Sequence, residues 1–181
     1  MISNSKSLNF WVSFMGSSPL ASLNCIWLAY ERDGFLPDKV IYFVTTLAKR
    51  KVEQYLAVFK EFFARVKGKR NIALEQLIEI IEISEPSSLD TLTELIAHKV
   101  EEYKKRGVVA VDITPGRKIM SIAALEGAFR ANADKIYYLY LLDESYRNMF
   151  AQEIPCVIQT LYVIERNEKT KLLECDKNAI H

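Results

Sequence analysis

Short apolar runs alternate with amphipathic segments along most of the chain, which is typical of a parallel α/β fold. The runs that predict strands are 8–15, 40–45, 77–83, 108–113, 136–142 and 156–165. The segments that predict helices are 19–32, 47–67, 87–107 and 118–133. The order βαβαβαβαββ predicts a Rossmann-like, mostly parallel six-stranded sheet with helices on both faces. We expect a single domain over 1–181, with a polar tail at 1–7 and a charged tail at 166–181.

Proline, glycine and small polar residues are expected to mark the helix ends. Pro19 suits the first position of a helix that Gly34 stops. The predicted N-caps are Ser18, Thr46 and Ser87, the last in a capping box with Asp90. Segment 77–83 fits a helix or a strand by periodicity alone, and the capping box that follows it favours a strand.

Composition and charge narrow the classes of ligand. The 181 residues are 50% hydrophobic and 26% charged, with a net charge of +1, as in an ordinary globular domain. A nearly neutral chain is no general polycation for long DNA or RNA, so any nucleic-acid-like ligand must be held by a local cluster. No signal peptide and no run of transmembrane length is recognisable, so we expect no membrane partner and a cytoplasmic location.

Cysteine and histidine usage predicts no metal and no cofactor. The three cysteines are far apart, no C-x-x-C pair occurs, and the chain has two histidines. A zinc site is therefore not expected, and a disulfide framework is not indicated. The chain also lacks G-x-G-x-x-G after the first strand and G-x-x-x-x-G-K-[ST], which disfavours ordinary dinucleotide or P-loop nucleotide binding.

The segment Val108–Met120 is the most informative part of the sequence. A buried-type strand ends in an acid, Asp112, and a hydroxyl, Thr114, and a Pro-Gly turn then leads to two adjacent cations at a helix start. A helix N-terminus already favours an anion, and cations there are unfavourable without one. The pattern therefore predicts an anion site, most plausibly for phosphate, at the carboxyl end of a central strand.

Small polar or cationic residues follow three of the predicted strands, and parallel sheets bind ligands at such ends. They are Gly16, Ser17 and Ser18 after the first strand, Thr45 and Thr46 after the second, and Thr114, Pro115, Gly116, Arg117 and Lys118 after the fourth. If the first and fourth strands are neighbours, these loops surround one phosphate-binding pocket.

Each candidate also has a purely structural interpretation. Ser18 can serve only as an N-cap, and Arg117 and Lys118 can belong to a solvated loop. Asp112 is interpreted as holding a loop in place rather than as a metal ligand. The segment 144–147, which contains Arg147, either rims the pocket or is ordinary solvated loop.

Two motifs together resemble a known family. Strand–Gly-Ser-Ser-Pro–helix near the N-terminus, with Val-Asp-Ile-Thr-Pro-Gly-Arg-Lys-Ile-Met-Ser further on, is similar to the CRISPR-associated Rossmann fold (CARF) family. The second motif resembles that family's strand-four pattern of an acid and a hydroxyl followed by Gly-x-[Arg/Lys]. Pro115 departs from it, because many members have glycine there. The resemblance spans about 8 to 165.

The resemblance implies a homodimer whose strand ends form one symmetric pocket for a cyclic oligoadenylate. Most members carry an effector domain behind the sensor, and the short segment after the last predicted strand leads us to expect none here. The chain then resembles a stand-alone archaeal CRISPR ring nuclease. Such an enzyme cleaves cyclic tetra-adenylate to linear di-adenylate with a 2′,3′-cyclic phosphate and switches off type III CRISPR signalling. Six adenylates are the alternative ring size.

The mechanism that the resemblance implies is metal-independent attack of a ribose 2′-OH on its own 3′ phosphodiester. Ser18, preferred over Ser17, would hold the ribose or phosphate, and Arg117 and Lys118 would stabilise the transition-state charge. Lys169 or Lys171 could fill the role of a C-terminal lysine that some ring nucleases use. Two alternatives stay open: a non-catalytic cyclic-oligoadenylate sensor or binding subunit with the same pocket, and an unrelated Rossmann-like phosphate binder.

Overall fold

The strands of the protein follow its apolar runs. The computed structural model describes residues 7–66, 77–84, 88–164 and 171–173. The strands are β1 (Leu8–Phe14), β2 (Lys39–Thr45), β3 (Ile78–Ile83), β4 (Gly107–Asp112), β5 (Lys135–Leu141), β6 (Gln159–Val163) and β7 (Lys171–Leu173). The helices are α1 (Pro19–Asp33), α2 (Val52–Val66), α3 (Leu89–Lys104) and α4 (Lys118–Arg130).

All of these strands belong to one sheet in the order β3-β2-β1-β4-β5-β6-β7. The first five are parallel, and β6 and β7 add antiparallel strands at one edge. The predicted fold class is confirmed, and the six predicted strands are joined by the short β7 from the C-terminal segment. That 1–181 is a single domain stays a prediction.

β1 lies at the centre of the sheet, paired with β2 on one side and β4 on the other. The chain reverses its direction of strand addition here, because β2 and β3 extend the sheet one way and β4 and β5 the other. This arrangement is the topological switch point at which open α/β sheets bind ligands. The expected adjacency of the first and fourth strands is therefore confirmed.

Alternate residues of β1 enter two separate cores, since successive side chains of a strand point to opposite faces. Trp11 packs with α1 and α2 and stacks on Tyr137 with ring centroids 5.3 Å apart. Phe10 and Phe14 pack on the other face with α3 and α4. Both faces of the central strands are thereby covered, which explains their nearly continuous apolar sequence.

The second predicted helix begins later than the sequence indicates. The Thr45 hydroxyl and carbonyl both accept a hydrogen bond from the Ala48 amide, at 3.3 and 2.9 Å. The chain therefore turns before a short 3₁₀ helix, Lys49–Lys51, and α2 follows at Val52. The predicted Thr46 cap is wrong, because its neighbour Thr45 makes the closing contact. The predicted end of this helix, near 67, lies outside the described residues.

Two other element starts differ from prediction, and a third has its predicted position without its predicted capping contact. Ser88 is the N-cap of α3, and its hydroxyl accepts from the Thr91 amide at 3.4 Å; the predicted cap, Ser87, lies outside the described residues. Ser18 occupies the N-cap position of α1, but its side chain makes no capping hydrogen bond. Cys156–Ile158 forms a 3₁₀ helix, so the last long strand starts at Gln159.

The two cysteines within the described residues differ in state. Cys25 is a buried free thiol, whereas Cys156 is disulfide-bonded, which the sequence did not indicate. None of the helices within the described ranges is both long enough and apolar enough to cross a membrane.

Candidate functional site

A cavity of about 240 Å³ opens at the carboxyl ends of β1, β2 and β4. The described residues that line it come from all three strand ends and from the start of α4. They are Met15, Gly16, Ser17, Thr45, Leu47, Ala48, Lys51, Gly116, Arg117 and Met120. The structure therefore brings the three predicted loops together around one space.

Two glycines allow the loops after β1 and β4 to touch. A Cβ on Gly16 would lie 2.9 Å from the Gly116 nitrogen and 3.1 Å from the Pro115 Cβ, which is too close for any side chain. Gly116 has φ +104°, a conformation that disfavours residues with a Cβ. The close approach places Gly16 and Gly116 together in the lining of the cavity, beside Ser17 and Arg117.

Asp112 is buried at the end of β4 and organises the loop that follows. Its Oδ1 accepts a hydrogen bond from the Thr114 amide at 2.8 Å. Its Oδ2 accepts from the Ser13 and Ser22 hydroxyls, each at 3.3 Å. Burial raises the pKa of Asp112 to about 6, although these hydrogen bonds favour the charged form. The geometry agrees with its interpretation as a residue that holds the loop in place.

Thr114 and Pro115 support the loop from inside. The Thr114 hydroxyl accepts from the Leu139 amide of β5 at 2.8 Å and lies 3.5 Å from the Cys25 sulfur. Pro115 is buried against Gly16. Both were predicted to bind a ligand, but neither is among the residues that line the cavity.

The structure separates the two adjacent cations. Arg117 is the N-cap residue of α4 and lines the cavity, whereas Lys118 begins the helix, is exposed and is not among the lining residues. Met120, one turn on, accepts the Arg117 amide at its sulfur at 3.4 Å. The helix start therefore presents Arg117, rather than both cations, to the cavity.

Lys51 is a lining cation that the sequence analysis missed. Its ammonium group donates to the Ser17 carbonyl at 3.0 Å, and the Tyr55 hydroxyl donates to the Gly16 carbonyl at 2.9 Å. Lys51 belongs to the basic run Lys49–Lys51, which follows β2 after a three-residue turn. This run of cations close to a strand end is a signal that the sequence offers, but the sequence analysis places it inside the second predicted helix.

Of the serines and threonines predicted after the first two strands, one of each type lines the cavity. Ser17 and Thr45 line the cavity; Ser18 is buried and Thr46 is exposed, and neither is a lining residue. Lys171 lies on β7, separated from β1 by three intervening strands, so it is not brought to the cavity of its own chain. Lys169 lies outside the described residues. The described ranges contain no group of three or more His, Cys, Asp or Glu side chains that could hold a metal ion.

A Rossmann-like sheet with cationic and glycine loops at its switch point defines an α/β protein with a candidate anion site. The model of the Card1 CARF domain matches residues 36–165, more than two thirds of the chain. The chain therefore belongs to the CARF family. No curated protein matches the sequence.

Two solved structures share the fold. Can2 from Sulfobacillus thermosulfidooxidans, solved in complex with cyclic tetra-adenylate, is 17% identical with a TM-score of 0.52. Protein VC1899 from Vibrio cholerae is 16% identical with a TM-score of 0.54. The match covers 91% of this chain in both cases, but only 37% and 36% of the two longer proteins.

Proposed function

We propose that the cavity binds cyclic tetra-adenylate through its phosphates. The observation that carries this proposal is the convergence of Lys51, Arg117 and the touching Gly16 and Gly116 loops on one space at the sheet's switch point. Cations and open backbone amides are the groups that hold phosphate oxygens. Membership of the CARF family and the ligand of the Can2 structure support this choice of anion.

The size of the cavity favours a homodimer. At about 240 Å³ it is smaller than the roughly 300–1,000 Å³ of a typical small-ligand pocket, and a ring of four nucleotides is a large ligand. Two copies related by a two-fold axis would each bind half of the ring, because a ring of four equal units shares that symmetry. The proposal thus includes a homodimer that acts in the cytoplasm in type III CRISPR signalling.

We further propose that the protein is a metal-independent ring nuclease. A ribose 2′-oxygen attacks the adjacent phosphorus, the bond to the 5′-oxygen breaks, and the proton ends on that leaving oxygen. Two such cuts release linear di-adenylates with 2′,3′-cyclic phosphate ends. Arg117 and Lys51 would stabilise the charge that develops on the phosphate, and Ser17 is better placed than Ser18 to hold the ribose, since it lines the cavity.

One observation favours the alternative, a sensor that binds without cleavage. The described lining residues include no histidine and no carboxylate, so none of them is an obvious general base. The only histidine in the described ranges, His98, is exposed on α3. Cleavage would then depend on positioning alone, which predicts a slow reaction.

The test is to incubate the purified chain with cyclic tetra-adenylate in EDTA, to measure binding by calorimetry and to follow products by mass spectrometry. Arg117→Ala and Lys51→Ala should each weaken binding by roughly 10- to 100-fold, the range for hydrogen bonds to charged groups. Lys105→Ala is the control that removes the same charge elsewhere. Lys105 lies just before the amino-terminal end of β4, whereas the cavity lies at the carboxyl ends of the strands. Binding without product would support the sensor, and no binding would reject the proposed ligand.

A further inference from the structure

The connection between β5 and β6 brings a further cation, Arg147, into contact with the loop after β1. Its Nη2 donates to the Ser17 hydroxyl at 3.0 Å, and Ser17 lines the cavity. Its Nη1 lies 3.7 Å from the Glu144 carboxylate, and its side chain is 55% exposed. The guanidinium therefore spans from its own loop to the loop after β1 while keeping donors open to solvent.

A buried amide on α1 fixes the part of the connection that follows Arg147. Asn24 is 5% exposed; its Nδ2 donates to the Met149 carbonyl and its Oδ1 accepts from the Ala151 amide, both at 2.9 Å. Both halves of one amide thus bind main-chain groups two residues apart. Because this buried side chain is hydrogen-bonded at both its nitrogen and its oxygen, it restrains the loop and sets the position of the residues just before it.

A second buried amide closes the same segment on its other side. Gln159 Nε2 donates to the carbonyls of Ala151 and Ile154, at 2.7 and 3.1 Å. The segment between Met149 and Ile154 is thereby tied to α1 and to β6, whereas Arg147 stands just outside the tied part. A fixed backbone beside a long, half-exposed side chain allows the guanidinium to change partners without the loop moving.

We propose that Arg147 is a ligand-binding residue of the cavity and that Asn24 is its positioning residue. The inference rests on the proposed function, which it deepens. The neutral Ser17 hydroxyl is a weak acceptor for a guanidinium, whereas a phosphate offers two charged oxygens in the planar, forked geometry that arginine matches. A ligand phosphate near Ser17 therefore takes over the Arg147 donors, and the β5–β6 connection becomes a fourth side of the binding site, beside the loops after β1, β2 and β4.

The first test measures the affinity for cyclic tetra-adenylate of the wild type, Arg147→Ala, Arg147→Lys and the Lys105→Ala control. Arg147→Ala should bind roughly 10-fold or more weakly. Arg147→Lys should recover only part of the loss, because lysine keeps the charge and lacks the fork. The inference would be overturned if Arg147→Ala bound with wild-type affinity while the separate variant Arg117→Ala lost binding. That result would leave the proposed function standing.

The second test separates positioning from general stability by a double-mutant cycle. Asn24→Ala should weaken binding in the wild-type background and have little further effect when Arg147 is already alanine. Equal losses in both backgrounds would show that Asn24 acts only through stability and would overturn its positioning role. If Asn24→Ala does not fold, Asn24→Asp enters the same cycle, because it keeps the acceptor for Ala151 and loses the donor to Met149. No binding by the wild type would overturn both proposals.

Discussion

The Thr114 amide nitrogen lies 2.8 Å from Oδ1 of Asp112, so the last residue of β4 fixes the first turn of the loop that carries Arg117. The carboxylate is fully buried, and it also accepts hydrogen bonds from the hydroxyls of Ser13 and Ser22. A charged group in such a place is costly to bury, and the loop geometry is retained at that cost.

Asp112→Asn should change how stability depends on pH. The pKa of Asp112 is raised to about 6 by burial, above its ordinary value of 3.8. The folded protein therefore binds this proton more tightly than the unfolded chain does. The resulting contribution to the free energy of unfolding is largest below about pH 4 and is lost as the pH rises through about 6. The free energy of unfolding of the wild type should therefore fall relative to that of Asp112→Asn by about 2 kcal/mol between pH 4 and pH 7.

Denaturant unfolding of both proteins at several pH values between 4 and 8 measures this difference. Asp143→Asn is the matched control, because Asp143 is exposed and hydrogen bonding to Ser145 lowers its pKa. For this control we do not expect the asparagine variant to gain stability over the wild type as the pH rises. A pH-independent difference between wild type and Asp112→Asn would mean that the buried carboxyl keeps an ordinary pKa.

Gly16→Ala should lower both stability and ligand affinity. The added Cβ would lie 2.9 Å from the Gly116 nitrogen, a backbone atom that cannot move without displacing the Arg117 loop. We expect the cost of overpacking, about 1–3 kcal/mol, and a loss of binding that calorimetry detects. Gly34→Ala is the control: its φ of +66° is strained for alanine, but nothing lies within 4 Å and the residue ends α1 at the other edge. It should lose stability alone.

The sequence predicts the strands of the sheet and the Arg117 loop of the site for a common reason. Both depend on residues that are close together in the chain. Buried strands require apolar runs, and the Asp112–Lys118 motif places its acid, turn and cations within one loop. The neighbouring positions of β1 and β4 follow from the usual order of doubly wound folds. These features need no knowledge of distant contacts.

The sequence did not assign Lys51 to the site and left the role of Arg147 open, and both residues meet the site through distant contacts. Lys51 contacts Ser17, 34 residues earlier, from the 3₁₀ helix that follows the Thr45–Ala48 turn. Arg147 contacts the same serine across 130 residues of sequence. Neither contact leaves a periodic pattern in the sequence.

Cys25 should be inert to thiol reagents in the native protein. It is fully buried, and burial together with the nearby Asp112 charge raises the pKa of its thiol well above the ordinary value. The reactive thiolate is therefore scarce and inaccessible. Alkylation by iodoacetamide, mapped to the Cys25 peptide by mass spectrometry, should appear only after denaturation. Rapid labelling of Cys25 under native conditions would show that α1 opens over this site.

Gly127→Ala should destabilise the packing of α4 on α3. Alanine favours a helix over glycine by about 1 kcal/mol, which alone would stabilise α4. However, its Cβ would lie 2.7 Å from the Thr93 carbonyl oxygen and 2.8 Å from the Ile96 Cβ, so the two helices must separate. We expect a net loss of about 1–2 kcal/mol in the free energy of unfolding, measured by denaturant titration. Ile122→Ala, at a position on the same helix that is 53% exposed, should change stability much less. A Gly127→Ala protein more stable than the wild type would show that the helices can separate at little cost.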